Sequence, residues 1–208
     1  MTIDRSRAST LMLAAIMAAQ LATVLLLARA AEAAPAVAHP PANTMLPTGF
    51  TAYGFSPVEG GECVAGDATR EGMHGRAFVY VKDASTPRPR WVTAIPVPPH
   101  WYQNRATHCF AMDGSIFVLV QTDTNQATSL SQTLLNVVEL SPITGKIIAT
   151  RDADVPGIDA AYSSWVDKGA GGFHEDNGQI AIAGQYFLMD APNKHIPFTA
   201  ELTAHPAK

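Results

Sequence analysis

The stretch "MDGSIFVLVQTD", Met112 to Asp123, constrains the fold more than any other part of the chain. Asp113-Gly114 is a strong two-residue hairpin signal, because the turn that matches strand twist needs positive φ at both positions. Ser115 to Gln121 then runs on as a continuous apolar strand. Ile116, Val118 and Val120 face one way and Phe117 and Leu119 the other. A strand apolar on both faces has to be covered on both, so it is expected in the interior of a layered fold.

The rest of the chain repeats this form. Gly and Pro recur too often for long helices, and no window carries an i, i+3, i+4, i+7 apolar stripe beyond two turns. Strand signals stand at Ala77 to Val81, Arg90 to Ile95, Thr107 to Met112, Leu134 to Leu140, Lys146 to Thr150, Gln179 to Met189 and His195 to Leu202. In Leu134 to Leu140 the polar Asn136 and Glu139 fall on opposite faces, which suits a strand nearer an edge. Gly75, Gly114 and Gly178 each open an apolar strand after a turn, at irregular spacing. The expected fold is all-β, an antiparallel meander of three hairpin-like units.

"MDGSIFVLVQTD" followed by "NVVELSPITGKIIATRD", roughly residues 107–151, resembles a blade of a β-propeller of the quinoprotein or WD-like kind, whose third strand ends in a Thr-Gly-Lys turn. The resemblance implies an antiparallel meander. It covers about 45 residues, and Ile147-Ile148-Ala149 stands where a quinoprotein blade carries Trp. Three units are fewer than the four blades of the smallest closed propeller. A small propeller-like array, a sandwich, or a piece completed by a partner is expected.

The N-terminal region speaks to location. Arg5 and Arg7 precede an apolar run from Leu11 to Ala28, and Ala31-Glu32-Ala33 offers a small-residue cleavage site, the order of a secretory signal peptide. Residues 1–33 are read as that signal, 34–48 as an Ala/Pro-rich linker, and 49–208 as one β domain beginning near Phe50. The alternative is an uncleaved anchor, since the run approaches the length that spans a bilayer. A membrane contact is expected only through that segment.

Export bears on the two cysteines. Cys63 and Cys109 form an even pair in an oxidising compartment, where a disulfide is expected, closing a loop of roughly 47 residues. The formal charge of the whole chain is −4. Removal of the signal leaves about −5, and there is no cluster of Lys and Arg such as nucleic-acid binding requires.

No catalytic or cofactor motif is complete. Gly54-Phe55-Ser56-Pro57-Val58 lacks the closing Gly of a nucleophile elbow. Thr144-Gly145-Lys146 lacks the upstream Gly of a phosphate loop, and Gly169 to Gly172 precedes no helix pattern. No two His residues stand at a metal-ligand spacing. Phe173 to Asn177 is the one place where imidazole and carboxylates cluster, and Asp152-Ala153-Asp154 lacks the further oxygen ligands that calcium needs. No cofactor is expected.

Aromatic connections supply the functional expectation. Pro98 to Arg105 places Trp101, Tyr102 and Arg105 in one link between strands, and Ala161 to Trp165 adds Tyr162 and Trp165. Trp, Tyr and Arg dominate binding hot spots. These five residues are the expected binding set of an exported, non-catalytic interaction protein with a protein partner, for example an inhibitor or immunity protein that neutralises a secreted toxin. An oligomer is compatible with this. The rival expectation is an extracytoplasmic hydrolase or metal-dependent enzyme using His174, Glu175 or His100.

Overall fold

A computed structural model describes residues 44–70, 73–86, 88–127, 131–167 and 169–204. The expected signal segment and most of the linker lie outside these residues. Among the described residues, twelve strands form three antiparallel sheets. The first holds β1 (Phe50–Val58), β2 (Gly61–Arg70), β3 (Met73–Asp83) and β4 (Pro89–Ile95) in sequence order. The second holds β5 (Gln103–Met112), β6 (Ser115–Asp123), β7 (Thr133–Leu140) and β8 (Ile147–Asp152), again in order. In the third, β11 (Gln179–Leu188) pairs with β12 (Ile196–Thr203) on one side. The two short strands β9 (Tyr162–Trp165) and β10 (Phe173–Asp176) both pair with β11 as well. The three expected Gly-led openings fall one in each sheet.

The fold is all-β, and β6 is its centre. Ile116, Val118 and Val120 enter a core shared with Cys63, Val79, Val81 and Trp91 of the first sheet. Phe117 and Leu119 enter a second core with Phe173, Ile180, Ile182 and Phe198 of the third. Both faces of the middle sheet are covered, as the doubly apolar β6 requires. The Asp113-Gly114 and Asn177-Gly178 turns have φ of 50° and 75° and of 51° and 77°, joining β5 to β6 and β10 to β11. Positive φ at both central residues is the twist-matched geometry that Asp, Asn and Gly adopt at low cost.

Two connections expected from the sequence are strands. Gln103 to Arg105 is the start of β5, and Tyr162 to Trp165 is β9. Arg105 pairs with Gln121 of β6, and Trp165 with Gln185 of β11, so cross-strand partners absorb residues whose polarity reads as loop. β7 lies one strand in from the edge. Its Glu139 is buried and accepts the Ser115 hydroxyl at 2.8 Å.

The Cys63–Cys109 disulfide is present and joins β2 to β5, hence the first sheet to the second. Both residues are buried, and the sequence separation is 46. Asn104, Thr107 and Cys109 of β5 meet successive rows of the first sheet, at Ala77, Gly54 and Cys63. The latter three belong to β3, β1 and β2 respectively, so β5 packs across three strands of the first sheet. A buried disulfide belongs to an oxidising, extracytoplasmic setting. Replacing both cysteines by Ala should lower stability by about 2 to 4 kcal/mol, the range for a loop of this length. Urea unfolding of the two proteins checks this, and equal midpoints would refute it.

Candidate functional site

Two irregularities in register build the site. Pairing between β1 and β2 shifts between Ala52 and Gly54, leaving Tyr53 as an extra residue. Pairing between β5 and β6 shifts between Ala106 and His108, leaving Thr107 extra. Each bulge reverses the alternation of its strand. Before the bulge in β5, Asn104 and Ala106 face the first sheet; after it, Cys109 does. Arg105, His108 and Phe110 thus all project to the side of the third sheet, which no uninterrupted strand would allow. The bulges also abut, for a Cβ at Gly54 would lie 2.5 Å from the Thr107 carbonyl oxygen.

On this side lies a cleft of about 350 Å³ lined by Tyr102, Arg105, Asp123, Asn125, Trp165 and Phe187 among others. A second cavity of about 300 Å³, the second lobe, lies on the other side of Arg105 and is lined by Tyr53, Thr107, Gln121, Val166 and Asp167. Both bulged residues line this second lobe. All three sheets contribute to the pair of lobes, and Arg105 is common to both.

The floor is hydrogen-bonded before any ligand arrives. Asp123 Oδ2 accepts Arg105 Nη1 at 2.9 Å and Gln103 Nε2 at 2.8 Å, and Asp123 Oδ1 accepts the Thr133 hydroxyl at 2.7 Å. The Arg105 side chain remains 31% exposed and that of Asp123 14%. Ser163 Oγ accepts the Thr133 backbone N–H at 2.9 Å. One wall carries Trp165, packed against His195 with ring centroids 4.9 Å apart and against Phe187 at 6.1 Å. Tyr102 forms the facing wall, held by His74 at 5.0 Å between ring centroids. In the second lobe the Tyr53 hydroxyl donates to Asp67 at 2.9 Å. Burial, and then this bond to a carboxylate, push its pKa up to about 12. Tyr53 is a fixed donor at any ordinary pH.

Of the expected binding residues, the fold brings Tyr102, Arg105 and Trp165 together. Trp101 stands half-buried in the β4–β5 loop outside the cleft. Tyr162 is in the core, since alternation along β9 sends Tyr162 inward and Ser163 and Trp165 toward the cleft. Its hydroxyl donates to Asp154 at 3.0 Å. Asp123, Asn125, Phe187 and Tyr53 were not singled out in the sequence, because bulges and sheet stacking leave no local pattern. His174 and Glu175 are exposed on β10, where Glu175 accepts the Gly178 N–H of the turn at 2.8 Å. His100 is exposed in the β4–β5 loop.

His108 fastens the β9–β10 connection behind the second lobe. Its Nε2 lies 2.8 Å from the Gly169 carbonyl and its Nδ1 3.0 Å from the Thr107 hydroxyl. Gln121 Nε2 adds a bond to the Val166 carbonyl at 2.9 Å. Burial holds the His108 pKa below its ordinary value, partly offset by bonds to the backbone of Gly169 and Asp167. The unfolded chain then takes up a proton near pH 6.5 that the folded chain refuses, so stability falls as the pH drops through that value. The slope from this one group is at most about 1.4 kcal/mol per pH unit. Urea unfolding at pH 7.5 and 5.5 should show a larger acid loss for the wild type than for His108→Gln; equal losses would remove the role.

Compared with known proteins, the chain matches no family model and no curated protein.

Proposed function

We propose that the chain is an exported binding protein, periplasmic or secreted once residues 1–33 are removed, with no catalytic role of its own. Its working surface is the two-lobed cleft around Arg105. The observation that carries this reading is the meeting of Tyr102, Arg105 and Trp165 in one concavity, on a floor that is already hydrogen-bonded. Preorganisation of that kind reduces the ordering cost of binding. The deepest carboxylate, Asp123, is taken up by three side-chain donors, which suits a positioning role better than that of a general base. In its narrower form the protein is an inhibitor or immunity protein, and the cleft receives part of a toxin.

Envelope material passed over the immobilised protein should leave a component, protein or glycan, that elutes from the wild type. Trp165→Ala and Tyr102→Ala should each weaken its retention by more than about 1 kcal/mol at an unchanged melting temperature. Equal recovery from all three proteins would overturn the reading.

A further inference from the structure

Resting on the binding-protein reading, we infer that the cleft takes a neutral oligosaccharide. The first lobe is lined, among the described residues, by aromatic and polar side chains with no aliphatic one. A protein hot spot seats an apolar or aromatic anchor in a well-packed, desolvated pocket, and small apolar ligands require predominantly hydrophobic walls. This lining interleaves aromatic rings with polar groups, and a sugar ring answers to both chemistries at once. Its C–H faces lie against aromatic rings, and its equatorial hydroxyls each donate and accept within the ring plane.

The side chains are placed for such a ring. Tyr102, Trp165 and Phe187 supply the ring faces. Asn125 and Gln126 extend exposed amides over the same lobe, each able to donate and accept, and the guanidinium of Arg105 is partly exposed at the floor. The charge balance of the first lobe selects for neutrality, and the exposed Asp167 carboxylate of the second adds a bar to anionic ligands. Arg105 is paired with Asp123 at 2.9 Å, so an anionic ligand meets a compensated cation and a cationic one a compensated carboxylate.

Length follows from the second lobe. Cavities of about 350 and 300 Å³ share Arg105 as a lining residue, and the second adds the exposed Asp167 carboxylate beside Tyr53, Thr107 and Gln121, which are held by bonds to Asp67, Leu119 and Val166. A linear oligosaccharide occupies both, whereas a single ring leaves one empty. The bulges at Tyr53 and Thr107, features that re-aim side chains beside binding sites, open this second lobe.

The test is calorimetric titration of the exported protein with cellotetraose, maltotetraose, mannotetraose and the N-acetylglucosamine tetramer, with a galacturonate tetramer as the charged comparison. At least one neutral tetrasaccharide should bind saturably, with an affinity that barely changes between low and high salt. Trp165→Ala should weaken it tenfold or more, Trp165→Phe much less, and Trp101→Ala, outside the cleft, not at all. Asn125→Ala, on an exposed loop, should also weaken it and replaces Trp165→Ala as the test if that variant melts early. Failure of every neutral sugar to bind, or salt-sensitive binding of the galacturonate alone, overturns the inference. Chemical cross-linking in the envelope separates the two levels. A Trp165-dependent protein adduct without sugar binding rejects the oligosaccharide and keeps the binding site, and the absence of both rejects the two together.

Discussion

Gly145→Ala should lower the stability of the folded chain by about 2 to 5 kcal/mol, although it adds only one methyl group. Gly145 has φ of +69° and ends the β7–β8 connection. A residue with a Cβ pays about 1 to 2 kcal/mol for that left-handed conformation. The new Cβ would also lie 2.4 Å from Cε3 of Trp91 and 2.6 Å from Oγ1 of Thr93. Trp91 is fully buried, and overpacking of such a site costs about 1 to 3 kcal/mol. The indole cannot move away cheaply, because its Nε1–H donates to the Pro142 carbonyl at 2.9 Å and Thr93 donates to the Gly145 carbonyl at 2.7 Å. This turn of the second sheet is thus a docking point for β4 of the first. Gly114→Ala is the control, with φ of +75° and nothing within 4 Å of the added Cβ. It should show only the conformational part, about 1 to 2 kcal/mol. Melting of the two variants measures the difference, which should be on the order of several °C in a chain of this size. Equal melting temperatures would mean that the Trp91 contact does not constrain the turn.

Phe117→Ala should cost about 3 to 5 kcal/mol, the range for a fully buried Phe. Phe117 is 0% exposed, and its ring centroid is 5.9 Å from that of Phe110, which in turn packs edge-on against Phe173 at 4.9 Å. The substitution opens a cavity where the middle sheet meets the third. Hydrogen exchange should therefore rise first in β10 and β11, while β2 and β3 keep their protection. Ile148→Ala on β8, 57% exposed, should change stability by less than about 0.5 kcal/mol. Uniform loss of protection across all three sheets would show that they open as a single unit.

The sequence was most legible where one strand carries its own evidence. In β6 the side-chain period of two separates Ile116, Val118 and Val120 from Phe117 and Leu119, and each set enters a different core. Asp113-Gly114 and Asn177-Gly178 declare their turns because few residue pairs accept positive φ twice. It was least legible at β1 and β2, which were not expected as strands. Gly54, Pro57, Gly61 and Gly66 interrupt their apolar pattern. All three of these glycines answer to close contacts formed only on folding, Gly61 to the Lys82 carbonyl. A Cβ at Gly54 would meet the Thr107 backbone, and one at Gly66 would lie 2.6 Å from the Phe50 ring.

The same division runs through the site. The sequence by itself determined most of the strands, several turns and a pool of candidate residues, since side-chain alternation and turn chemistry act between near neighbours. The pairing of Cys63 with Cys109 was also readable, because two cysteines allow one connectivity. Only the tertiary structure decided which aromatics meet: Tyr102 and Trp165 in the cleft, Trp101 beside it, Tyr162 in the core. For Arg105, a one-residue shift at Thr107 decides as well, putting it on the same side as His108 and Phe110. A shift of one residue turns every later side chain of a strand to the other face. The energy that holds it comes partly from the hairpin partner, through the Arg105–Asp123 pair, and partly from a connection remote in sequence, through the His108–Gly169 bond.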